Sequence, residues 1–257
     1  MKKAVIIIGV GELGGVFARA FLKCGHPVYP VTRKVDIHET AKAIPEPAMV
    51  LIAVGEKDLS ALLPQLPATW HPYIALLQNE LLPDQWEVHH IPHPTVISVW
   101  FEKKRGTDCK VLLPSPVFGP GASLLSNALE TIEIPASVLT TQKELLFNLV
   151  LKNVFVMTIN IAGLAVGGSV GQLWSHHRIM TRSIAYEMIQ LQEGLTRSRF
   201  DHEALIAGMR KGFDGDPAHR CRGRSAPSRL NRAIEIADRL ELDIPETRKI
   251  ARQRKAS

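Results

Sequence analysis

Apolar residues are distributed differently in the two halves of the chain. In the first half they form short continuous runs: AVIIIGV near the start, PVYPV, AMVLIAV at 48–54, YIALLQ at 73–78, TVISVWF at 95–101 and KVLLP at 110–114. Runs of this kind, rich in β-branched residues, suit strands buried on both faces. Between them lie stretches with helical spacing, GVFARAFLKCG and EKDLSALLPQL. Strands alternating with helices predict a mostly parallel sheet. From about Thr141 the pattern changes. Apolar positions recur three and four apart in TQKELLFNLVLKNVFV, RIMTRSIAYEMIQLQ, HEALIAGMRKGF and RLNRAIEIADRLE, and no strand-like alternation remains. The expected architecture is α/β, a Rossmann-type mostly parallel sheet domain over 1–136 followed by an all-α domain over 137–257. The boundary is expected around IPASVLTT, and FDGDPAHRCRGRSAPS is expected as a long polar loop between helices.

The first run is followed at once by GVGELG. A strand, then G-x-G-x-x-G, then a helix is the arrangement that a dinucleotide phosphate site requires. Gly9 is expected to permit the tight turn, Gly11 to let the backbone approach a pyrophosphate, and Gly14 to let helix and strand pack closely. The helix N-terminus then faces the phosphates. The expected cofactor-binding set is Gly9, Val10, Gly11, Glu12, Leu13 and Gly14. The second strand ends at Thr32-Arg33-Lys34. An acid here would suit the ribose 2′-hydroxyl of NAD, whereas Arg33 suits the 2′-phosphate of NADP. Gln78-Asn79 follows a strand, at the carboxyl edge where such sheets bind ligands; Asn79 either contacts a ligand or caps a turn.

Composition narrows the class. Of 257 residues, 46% are hydrophobic and 22% charged, as in a soluble globular protein. Cys24, Cys109 and Cys221 are scattered and odd in number, so neither a disulfide framework nor a metal site is expected, and a reducing cytoplasm is. The opening MKKAVIIIGVGELGG lacks the features of a signal peptide. Val154–Val170 carries no charge, but Thr158, Asn160, Ser169 and three glycines interrupt it, which favours a buried helix over a membrane span. The net charge of +6 is concentrated late, in HRCRGRSAPSR and RKIARQRKAS. Without a nucleic-acid motif beside it, this charge reads as solvated surface and predicts no nucleic-acid partner.

Lys152 is the only Lys, Arg, Asp or Glu between Leu145 and His177. An ammonium in so apolar a run either snorkels to the surface or has a task.

These features together resemble ketopantoate reductase (2-dehydropantoate 2-reductase), an enzyme family of pantothenate biosynthesis. IIGVGELGG is similar to the family's glycine motif, and Arg33 falls at its 2′-phosphate arginine. LLQNEL is similar to a strand ending in H-N-G, which aligns Asn79 with an Asn that contacts cofactor and substrate. LVLKNVFVMTINIAGLA is similar to the W-x-K-x-x-x-N-x-x-x-N-P-L helix, GQLWSHH to a following G-E-L stretch, and LDIPETRKI to the family's closing helix. The resemblance implies NADPH-dependent reduction of a small 2-oxo acid with Lys152 as general acid, near Asn79. It implies substrate contacts from Asn79, Asn160 and Ser225, and a homodimer built on the helical domain. Three positions depart from the family. Val156 replaces the first Asn of the helix, Val170 falls where a further substrate Asn is carried, and Ser225 stands where a Glu is carried, with Ser228 and Asn231 nearby. The alternative these departures leave open is a non-catalytic NADP-binding sensor.

Overall fold

The computed structural model describes residues 2–255, so the last two residues of the basic tail lie outside it. The chain divides into two compact units at Asn148/Leu149.

The first unit alternates strands and helices in the order that the apolar runs predict. It contains β1 (Val5–Ile8), α1 (Glu12–Lys23), β2 (Val28–Val31), α2 (Ile37–Ala43), β3 (Met49–Ile52), α3 (Glu56–Leu62), β4 (Ile74–Leu76) and the short α4 (Asp84–Glu87). There follow β5 (Thr95–Ile97), β6 (Phe101–Glu102), β7 (Lys110–Val111), β8 (Ser115–Phe118), α5 (Ala122–Glu130) and β9 (Ala136–Val138). Seven strands form one sheet in the order β2-β1-β3-β4-β5-β8-β9, parallel throughout except between β5 and β8. The residues of β1 and β3 are all buried, as their uninterrupted apolar sequences require. β2 lies at the edge, where Pro30 has no ladder hydrogen bond to break. One side of the sheet carries a core in which Val5, Ile7, Leu51 and Ala75 meet Phe17, Ala20 and Phe21 of α1 and Leu125 and Leu129 of α5.

One expectation about the strands is corrected. TVISVWF is not one strand: β5 ends at Ile97, and Phe101 belongs to β6, which pairs with β7 in a separate two-stranded hairpin. KVLLP therefore contributes β7, outside the main sheet. The segment IPASVLTT, around which the boundary is expected, contains β9, whose Ala136 pairs with Ser115 of β8. The sheet thus extends past residue 136, and its compact unit continues to Asn148. Strand pairing joins distant segments, and the local apolar pattern carries no record of the partner.

α6 (Gln142–Val166) crosses the division. The second unit adds α7 (Val170–His176), α8 (Arg178–Thr196), α9 (His202–Gly215), α10 (Ala226–Arg239) and α11 (Pro245–Lys255). Among the described residues α6 is the one helix long and apolar enough to cross a membrane, and 83% of its apolar window is buried within the protein. It ends at Gly167-Gly168, both with positive φ, and Ser169 then opens α7 with a reciprocal cap involving Gln172. The polar segment 216–225 is pinned rather than free. Cys221 is fully buried, its amide donates to the Gly168 carbonyl at 3.1 Å, and a Cβ on Gly163 would lie 2.7 Å from the Cys221 Cβ. Burial pushes the Cys221 thiol up to about 11, which makes it a packing group and not a reactive one.

Candidate functional site

The sheet places the glycine turn at its switch point. From β1 the chain crosses to β2 on one side, then returns to β3 on the other, so the carboxyl ends of β1 and β3 flank a crevice. Gly9 follows β1 with φ +95°, and a Cβ there would stand 2.8 Å from the Ala53 carbonyl oxygen beyond β3. A Cβ on Gly14 would collide with the carbonyl oxygen of Gly9. Both glycines are therefore demanded by packing. Gly11 differs: a Cβ there would meet nothing within 4 Å. Gly11 also opens α1 without a side-chain cap, which leaves the first amides of the helix for an outside acceptor. Of the other turn residues, Val10 and Glu12 are exposed, and Leu13 packs against the core. Leu13 could serve a ligand only through its backbone.

A pocket of 500 Å³ adjoins the turn, lined among others by Gly9, Thr32, Arg33, Val54, Asp58 and Gln65. The Arg33 side chain is 93% exposed at its rim, and its guanidinium lies a loose 3.7 Å from the Asp58 carboxylate. The nearby acid Asp36 is committed elsewhere. It accepts the amides of His38 and Glu39 at the start of α2, and those two bonds hold its carboxyl below the ordinary range.

At the same sheet edge, Gln78 braces the ends of two strands. Its amino group donates to the carbonyls of Ile52 at 2.7 Å and Val54 at 3.3 Å, and its oxygen accepts the Leu77 amide at 3.1 Å. Asn79 follows in the half-buried turn after β4. The glycine turn, Arg33 and Asn79 thus all stand on the carboxyl edge of neighbouring parallel strands.

In the helical unit, α6 carries Lys152, Val156 and Asn160. Lys152 is half-buried, with its Nζ 5.5 Å from the centre of the Phe155 ring. The ring of His219 also packs on Phe155 at 6.4 Å, and its Nδ1 lies 4.0 Å from the buried Asp216 carboxylate. Asp216 and His219 come from the polar segment that the sequence marked only as a loop. Asn160 is 5% exposed, and its Oδ1 accepts a hydrogen bond from Nη1 of Arg229 at 3.0 Å. Ser225 is exposed at the start of α10, where its hydroxyl caps nothing; its carbonyl accepts the Arg229 amide at 2.9 Å and the Ser228 hydroxyl at 2.9 Å. Asn160 and the Ser225 turn are thereby tied together through Arg229. Asn231 is exposed, and Val156 and Val170 are buried.

Arg229 was missed by motif reasoning, although a signal for it exists. It lies four and eight residues before Ala233 and Ala237, on the buried stripe of α10, where a charge is out of place.

No protein-family model and no curated protein matches the sequence. Solved structures do match. A 2-dehydropantoate 2-reductase from Methylococcus capsulatus superposes with a TM-score of 0.71 at 15% identity, over 98% of this chain and 96% of that one. A dimeric ketopantoate reductase from Staphylococcus aureus gives 0.66 at 16% identity, over 98% of each chain. The chain has the fold of the ketopantoate reductases. The fold extends to other chemistry: a D-mandelate dehydrogenase in complex with NADH gives 0.63 at 14% identity, over 98% of this chain and 97% of that one. Within the ketopantoate reductase fold, both the sheet unit and the helical unit of this chain have counterparts, since the superpositions cover nearly the whole of each chain.

Proposed function

We propose that the protein is an NADPH-dependent reductase of a small 2-oxo acid, ketopantoate or a related compound. The observation that carries this reading is the glycine turn at the switch point of the sheet, with open space at Gly11, an uncapped helix start, and a 500 Å³ pocket lined by Gly9. These features fit a dinucleotide. Gly11 and the first amides of α1 would hold the pyrophosphate, the pocket beyond Gly9 would take the adenosine, and Asn79 would lie toward the other end. Arg33 at the pocket rim supports a 2′-phosphate, while Asp58 beside it opposes one, so the preference for NADP over NAD rests on which charge prevails. The matched folds include reductases of ketopantoate and a mandelate dehydrogenase seen with NADH, and this supports nicotinamide-dependent 2-oxo acid chemistry in general.

When bound, a reduced nicotinamide supplies hydride to the carbonyl carbon. Lys152 then has the role of general acid: its Nζ proton passes to the keto oxygen as alkoxide charge develops, giving a 2-hydroxy acid. The substrate contacts proposed with it are Asn79, Asn160 and Ser225. In this reading the sheet unit binds cofactor and supplies Asn79, the helical unit supplies the other substrate contacts and forms a homodimer, and the three free cysteines fit a reducing cytoplasm.

A second reading, a non-catalytic NADP-binding sensor, is favoured by one observation. Buried Val156 stands one turn after Lys152, where the ketopantoate reductase motif has an Asn. Loss of NADPH absorbance with a panel of 2-oxo acids, ketopantoate and benzoylformate among them, separates the two. Turnover supports the reductase. Tight NADPH binding with no turnover on any acid supports the sensor.

A further inference from the structure

The contact between Arg229 and Asn160 fixes which way Asn160 faces. Both side chains are buried, 7% and 5% exposed, and the hydrogen bond between them spans 3.0 Å. A guanidinium can only donate. The atom of Asn160 that faces it must be the carbonyl oxygen, and the amino group is turned away from Arg229. Without such a partner a carboxamide can rotate and present either its donor or its acceptor side. Two turns earlier on the same helix stands Lys152, whose ammonium is also donor-only. A 2-oxo acid offers the opposite set: two carboxylate oxygens and a keto oxygen, all acceptors. An Asn160 free to turn its oxygen outward would oppose such a ligand.

We propose that Arg229 is a positioning residue that holds Asn160 with its amino group turned to receive the oxygens of a 2-oxo acid. The proposal rests on the reductase reading for the identity of the ligand. It adds a residue that neither the glycine motif nor the lysine helix includes.

The test combines kinetics with a readout that needs no turnover. In Arg229→Met, KM for the accepted 2-oxo acid should rise about tenfold to a hundredfold, the range of one hydrogen bond to a charged acceptor. NADPH affinity should be unchanged, and kcat should change less than KM. Arg229→Lys keeps a donor-only cation and should recover part of the KM; a Lys variant as impaired as the Met variant would overturn the donor argument. Asn160→Ala should resemble Arg229→Met, and the double variant should be no worse than either single, because the two act as one unit. Losses that multiply in the double variant, or a wild-type KM in Arg229→Met, would overturn the proposal.

The side-chain amide resonances of Asn160, assigned by their disappearance in Asn160→Ala, give the second readout. They should shift when ketopantoate is added to the NADPH-loaded wild type, and should not shift in Arg229→Met. A shift without turnover removes the reductase reading and leaves the positioning role standing. Turnover indifferent to Arg229 does the reverse. Neither shift nor turnover overturns both.

Discussion

Glu187 in the middle of α8 holds Thr247 at the start of α11 by two hydrogen bonds, from the Thr247 amide at 3.0 Å and its hydroxyl at 2.6 Å. The amide of Glu246 adds a third at 2.7 Å. A side chain 60 residues away in sequence thus caps the last helix. Glu187 is only 6% exposed, so Glu187→Ala would leave buried donors unmatched and should destabilise the protein by about 1–3 kcal/mol. Burial raises the Glu187 carboxyl above the ordinary carboxylate value, and the Thr247 and Glu246 donors only partly offset it. A folded-state value above the unfolded one means that the folded protein holds this proton more tightly. Its contribution to stability is therefore fully present below the ordinary carboxylate value and is lost as pH rises through the raised one. Urea unfolding at stepped pH should show that decline, and Glu187→Gln should flatten it.

The glycine turn lets its packing role be tested apart from its proposed binding role. Gly14→Ala puts a carbon into the Gly9 carbonyl and should unfold or strongly destabilise the sheet unit. Gly11→Val projects into open space and should melt like the wild type while losing NADPH binding. Calorimetric titration beside thermal melts distinguishes the two. Normal NADPH affinity in Gly11→Val would show that the turn holds no phosphate.

The proposed preference for NADP can be tested at Arg33. Its pairing with Asp58 is long and solvated, so Arg33→Ala should leave stability unchanged. An Arg–phosphate contact is bidentate and charge-assisted, worth ~1.5–3 kcal/mol. Removing it should weaken NADPH binding by roughly tenfold to a hundredfold with NADH binding little altered. Asp58→Ala should act in the opposite sense and sharpen the preference for NADPH. Fluorescence titration with both cofactors reads each change, and equal affinities in the wild type would refute the assignment to NADP.

Lys152→Ala should reduce the rate by about 10²–10⁴-fold, the usual contribution of a general acid, while NADPH affinity stays constant. The half-buried ammonium over Phe155 also does some structural work. Losing a cation–π contact is worth roughly 0.5–2 kcal/mol, so the variant should melt slightly lower than the wild type. Undiminished turnover on the accepted acid would remove Lys152 from the chemistry.

Much of this protein is legible along the chain because the information is local. The apolar runs, the glycine spacing after β1 and the three-and-four periodicity past Thr141 specify most strands, the glycine turn and the helices, since each depends on neighbours within a few residues. The lone charge of Lys152 is visible for the same reason. What tertiary structure alone decided are relationships between distant segments. Only pairing could show that Phe101 leaves the main sheet for a hairpin and that Ala136 joins it beside Ser115. Only packing could show that Cys221 pins a polar loop onto Gly163, or that Glu187 caps α11. Arg229 is the sharpest case. Its place on a buried stripe could be read from α10, but its partner, 69 residues earlier, could not. A hydrogen bond between two helices depends on how their faces meet, and that is settled by the packing of both helices together.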